Sequence, residues 1–208
     1  MQKLKNEVQC IHNEPMKYEI TQETKVIINP LNNQDLTLYR IKALKKIKGV
    51  RIGDLGGWVE NEQNLSQKDN SWIYDNSCVF GNAKVYENAR VEGNARVYDN
   101  SQVYGNCIIG DNVCIFGNAS IHGYARLFGY GSVYGYAEVF GNSHFFGTGF
   151  LVYGKARVYG KARILNEPKI YGNSRIYGNA TIYGMAIVNG NTQICGKMTF
   201  NQDTRTKS

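Results

Sequence analysis

Two histidines are the residues in this chain best suited to acid–base chemistry. His122 and His144 carry imidazoles whose ordinary pKa lies near neutrality, so either can accept or deliver a proton. A catalytic imidazole also needs a partner that fixes its tautomer. The nearest acid in the winding, Glu138, is expected on another face. The five cysteines (Cys10, Cys78, Cys107, Cys114 and Cys195) are an odd number without Cys-x-x-Cys or Cys/His spacing. No metal centre, cofactor or disulfide framework is therefore expected.

Recognition is the other chemistry these residue types offer. Lys155, Arg157, Lys161, Arg163, Lys169 and Arg175 fall within 21 residues and are opposed only by Glu167. With a net charge of +7, the chain suits an acidic protein surface or a phosphate backbone and selects neither. Tyrosine is abundant at 15 residues. Tyr124, Tyr130 and Tyr136 follow one another at intervals of six, and rigid amphipathic rings of this kind suit contact surfaces.

The elements that position these groups follow from a period. From Asp69 the chain reads in sixes, as in DNSWIY, GNAKVY and DNSQVY, with one residue added in Gly147–Tyr153. Each unit is two turn residues, a small residue, a variable one, an aliphatic one and an aromatic one. Small and aliphatic residues two apart share one side of a short strand. Gly, Asp or Glu followed by Asn accepts the left-handed backbone of a tight corner. Three units close a triangular coil of eighteen residues, and coils pair as parallel strands about 4.8 Å apart. The expected fold is all-β: a left-handed parallel β-helix of about seven coils. Sixth-position rings should point outward and stack in ladders. Cys107 is expected in the core, and Cys78 and Cys114 lie too far apart to bond, at two coils or roughly 10 Å.

The segment Ile108–Gly123 comes closest to the hexapeptide signature of bacterial acyltransferases. Together with Gly53–Gln67 and Ser71–Asn76, the whole run resembles the YdcK-like "GNA-repeat" proteins of bacteria, phages and prophages, over roughly residues 16–200. The resemblance implies the β-helix and no assigned activity. Its frequency in phages implies an accessory protein acting on a bacterial host component, an inhibitor of a defence system such as a CRISPR effector being one concrete version.

The acyltransferase alternative would place its base at His122 or His144. It expects a long excursion loop, whereas the largest interruption here is one residue. Two coil histidines also fall short of the three that a γ-type carbonic anhydrase gives to zinc.

Ahead of the repeats, Lys17–Ile20, Lys25–Ile28 and Leu36–Leu44 alternate apolar and polar residues as strands do, with a turn at Asn32–Gln34. The expected organisation is a polar tail over residues 1–14, a β cap over 15–68 covering the first coil, the β-helix over 69–201 and a disordered tail over 202–208. No apolar run approaches the ~20 residues of a membrane helix, and no signal-peptide core is visible, so the host bacterial cytoplasm is the expected location. The expected function is non-catalytic binding of a host protein or ribonucleoprotein. The surface expected to carry it comprises Tyr124, Arg126, Tyr130, Tyr136 and His144 with Lys155, Arg157, Lys161, Arg163, Lys169 and Arg175. A self-assembling dimer or trimer is the structural alternative.

Overall fold

Each hexad turns the chain because its first residue sits in the left-handed region. Gly81 (φ 64°), Asp99 (φ 63°) and Gly117 (φ 67°) stack at one such corner. Glycine is required where corners meet: a Cβ on Gly105 would lie 2.7 Å from the Gly123 nitrogen in the next coil. Where aspartate replaces glycine, its carboxylate can become useful. Asp111 Oδ2 accepts from the Gly129 N–H of the next coil at 2.8 Å.

The structure, a computed structural model, describes residues 15–201. The tails expected over 1–14 and 202–208 lie outside the described residues. The hexads build a parallel β-solenoid of about eight turns, an architecture consistent with a left-handed β-helix. Its three faces are rows of inward aliphatic residues. The first runs from Val59 through Val79 and Val97 to Val188. The second runs from Leu65 through Val85 to Ile194. The third runs from Ile73 through Val91 to Phe200. Apart from Phe200, which is partly buried, these residues and the third-position alanines are almost wholly buried in one continuous core. Buried serines at the third position can bond the carbonyl three residues back, as Ser101 Oγ donates to Tyr98 O at 2.8 Å and Ser174 Oγ to Tyr171 O at 2.9 Å.

The parallel stack begins ahead of the regular hexads. Strand β1 (Tyr18–Ile28) pairs antiparallel with β2 (Asp35–Ala43), and β2 pairs antiparallel with β3 (Leu55–Val59). Strand β3 then pairs parallel with Cys78–Val79, which supplies the level that raises the expected seven coils to about eight. The hairpin seals the end of the core with Tyr18, Ile41 and Ala43. Lys17 fastens it there: its Nζ donates to Ser71 O at 2.8 Å and Ser71 Oγ at 3.2 Å, and burial lowers its pKa to about 8.

The hairpin also covers part of a side. Ile27 and Leu38 pack with Trp58, Phe80 and Tyr98, leaving Phe80 fully buried and Tyr98 only 7% exposed. The expectation that all sixth-position rings face solvent is thus corrected for the start of the first face. The apolar alternation of β2 has two targets, the end of the core and the ring ladder.

The added residue is absorbed at the edge between the third and first faces. There the chain stays extended through Arg126–Val133 and His144–Val152, with a register shift between Gly129 and Gly131. The insertion places Phe150 at an inward position, fully buried beside Phe145 at 5.1 Å between ring centroids. Space for it comes from below, where a Cβ on Gly131 would meet the Phe150 ring at 2.5 Å.

Two outcomes follow. Phe150→Ala should destabilise the protein by about 3–5 kcal/mol in chemical denaturation, since the cavity cannot collapse. Phe146→Ala, at a ring 67% exposed, should change stability by about 0.5 kcal/mol or less. The second outcome concerns alkaline pH. Burial pushes Cys107 from 9.0 to about 12, and pushes Tyr86 and Tyr98 from 10.0 to about 12. The unfolded chain therefore releases protons first, so this stability is intact below pH 9 and falls as pH rises towards 12. Lys17, lowered from 10.5 to about 8, opposes the loss up to pH 10.5. Thermal melts of Cys107→Ala should show the decline beginning nearer pH 10.

Candidate ligand groove on the third face

Second and fourth residues of a hexad both project outward, while the third turns into the core. Stacked over several coils, they form two parallel columns with a furrow between them. On the third face this furrow deepens into a cleft of about 420 Å³. Asn142, Lys161 and Asn179 line it from the corner column, and His144, Arg163 and Thr181 from the strand column. One level below, the same two columns carry Tyr124 and Arg126, with Arg126 pairing His144 and His144 pairing Arg163 in the backbone register.

The electrostatics of this column are unbalanced. Some arginines are neutralised: Arg157 Nε lies 2.6 Å from Glu138 Oε2, and Arg90 Nη2, two levels below Arg126 in this column, lies 3.1 Å from Glu92 Oε2, whereas Arg96 and Arg175 have no such partner among the described residues. Among the described residues, no carboxylate lies within ion-pair distance of Arg126, Lys161 or Arg163. Burial, then Arg126 below and Arg163 above, pull the His144 imidazole beneath its ordinary pKa. Arg126 and Arg163 thus stand two levels, or roughly 10 Å, apart on either side of that imidazole.

The corner column is interrupted as well. Where asparagines stack at corners, their amides bond from coil to coil, as Asn70 Nδ2 does to Asn88 Oδ1 at 3.0 Å. Tyr124 and Lys161 interrupt that column on either side of Asn142. Tyr124 is 59% exposed at the furrow's rim.

The structure brings together Tyr124, Arg126, His144, Lys161 and Arg163 and disperses the other expected contact residues. Tyr130 stands on the edge between the third and first faces, and Tyr136 on the edge between the first and second, as does Lys155. Arg157 and Arg175 stack on the second face, while Lys169 belongs to the first. A stretch of 21 residues winds more than once round an eighteen-residue coil, so nearness in sequence spreads charge over every side.

His122 sits on the second face within a ladder of rings. It stacks between Tyr104 at 4.8 Å and Phe140 at 4.9 Å. The expected placement of Glu138 on another face is corrected: Ser120 and Ile121 pair with Glu138 and Val139, and His122 Nε2 lies 3.1 Å from Glu138 Oε1. Sixth and fourth positions of neighbouring coils lie side by side on one face. The two histidines, in contrast, lie on different faces and share no site.

The residues missed beforehand were Asn142, Asn179 and Thr181. Counting eighteen from each candidate, or nineteen across the inserted residue, would have placed them in the same columns. With that geometry in view, the comparison with known proteins is short. A family model described as the YdcK β-solenoid repeat matches residues 174–190. Over that segment the repeat is similar to the YdcK type. The matched segment includes Asn179 and Thr181 of the cleft and repeats the same pattern, with Ile176, Ile182 and Val188 inward. No curated protein matches the chain.

Arg126→Gln with Arg163→Gln should raise the His144 pKa towards 6.5, as read by NMR titration of its ring protons. The single change Arg157→Gln, on the second face, should leave it unmoved.

Proposed function

We propose that this YdcK-type solenoid is a non-catalytic binding scaffold whose third-face furrow grips an acidic macromolecular partner. The observation that carries this reading is the unneutralised column of Arg126, His144 and Arg163, with Lys161 beside it. A stiff prism with an unbalanced charged furrow needs no reorganisation to bind, which favours recognition over chemistry. The resemblance to proteins common in phages makes a bacterial host component the first partner to test, a defence nucleoprotein among them.

The test is capture from a bacterial lysate by immobilised protein. Arg126→Glu with Arg163→Glu should abolish capture of the partner, while Arg157→Glu with Arg175→Glu should retain it. Equal retention by both pairs would remove the furrow as the binding surface.

One observation favours a second reading. The His122–Glu138 contact supplies an oriented imidazole of the kind an acyltransferase uses. Against it, the ring is sandwiched on both sides, and Glu138 is shared with Arg157. The expected outcome is that acetyl-CoA leaves the melting temperature unchanged. A rise of several degrees that disappears in His122→Ala would establish the enzyme instead.

A further inference from the structure

The furrow does not end at the His144 cleft. The same two columns continue down the third face and open into a second cleft of about 410 Å³, lined by Asn70, Asn88, Asn106, Arg90 and Ile108. Lys48, from the turn after the hairpin, closes that end. Arg126 and Tyr124 occupy the level between the two clefts. From Arg90 to Arg163 the strand column climbs four levels, about 19 Å at the spacing of parallel strands.

Three features of this track select among acidic ligands. Its width is the separation of two residues along one strand, about 7 Å, which admits a single extended chain and no duplex. Lys48, Arg126, Lys161 and Arg163 recur along its length with no ion-pair partner among the described residues, Arg90 alone being held by Glu92 at 3.1 Å, and no carboxylate lines either cleft. An exposed tyrosine stands at its midpoint beside an arginine, an arrangement on which a flat base stacks and from which an acidic peptide gains little. The corner asparagines add amide donors and acceptors at the height where base edges would lie.

Resting on the binding reading above, we infer that the third-face furrow binds single-stranded nucleic acid, with phosphates along Arg126–Arg163 and a base on Tyr124. At about 3.4 Å per stacked nucleotide, 19 Å accommodates roughly five or six nucleotides. With Lys48, Arg126, Lys161 and Arg163 engaged, affinity should fall with salt at a log–log slope of about −3.

Fluorescence anisotropy with labelled oligouridylate and oligothymidylate, each about twelve nucleotides long, tests this directly. The unmodified protein should bind with that slope, and a duplex of equal length should bind more weakly. Arg126→Gln with Arg163→Gln should weaken binding at least tenfold and reduce the slope by about 1.4. Tyr124→Ala should weaken it about tenfold and leave the slope unchanged, the signature of lost stacking. All three side chains are exposed, and unchanged melting curves would confirm folded variants.

Absence of oligonucleotide binding would overturn the inference. So would equal weakening by Arg157→Gln with Arg175→Gln, or equal competition by polyglutamate of matched charge. If lysate capture still depends on Arg126 and Arg163 when oligonucleotides fail, the partner is an acidic protein and the scaffold reading stands without this one.

Discussion

Coil-to-coil hydrogen bonding in parallel register is the constraint on which this molecule depends. Alternate backbone N–H groups reach the carbonyl seventeen residues on in the next coil, as Lys84 N does to Ser101 O and Gln102 N to Ala119 O. Because that register is held level after level, every side chain meets its counterpart directly above and below. Aromatic rings otherwise prefer offset or edge-on contact. Here they are held nearly parallel, Phe80 on Tyr98 at 5.0 Å and 1° and Tyr86 on Tyr104 at 4.8 Å and 5°. The backbone decides the stacking, and the rings follow.

The same rule converts composition into geometry. One asparagine at a corner is a turn residue; a run of them is a chain of bonded amides. One arginine on a strand is a solvated charge, whereas Arg126 and Arg163 held in register on either side of His144 form a track. The molecule distinguishes its tracks by whether they are balanced. On the second face Glu138 sits between His122 and Arg157 and ties both into a closed network. On the third face nothing equivalent holds Arg126 or Arg163. That difference, more than the number of basic residues, separates a neutralised column from the one proposed to bind.

Most of the fold was legible from the hexad period, because small, aliphatic and corner residues each have one place in the coil. The inward rows, the insertion near Gly147 and the burial of Cys107 all follow from it. Two things were not legible. The hairpin's alternating pattern names buried residues without saying what they bury against, so Leu38 over Phe80 was hidden. The site was half visible: its cations and Tyr124 stand out as breaks in the repeat, but their grouping requires counting through the extra residue at the Gly129/Gly131 register shift. The His122–Glu138 contact was missed for a related reason. Residues sixteen apart are neighbours when one belongs to the sixth position and the other to the fourth position of the next level.

The register shift has a consequence for how such a chain can change. The solenoid is read in frames, and only whole frames preserve its columns. Loss or gain of one hexad between Arg126 and Lys161 would keep the pattern of corner and inward residues, yet rotate all that follows by a third of a turn. Lys161 and Arg163 would then leave the line of Arg126 and His144, on a protein as well folded as before. An exchange of eighteen residues would instead lengthen or shorten the furrow without scrambling it. The single residue added beside Phe150 belongs to neither kind: it is taken up at one edge, and the frame resumes. Variation in this architecture therefore divides into edits that resize its surface, edits that shuffle it, and edits that the extended edge silently absorbs.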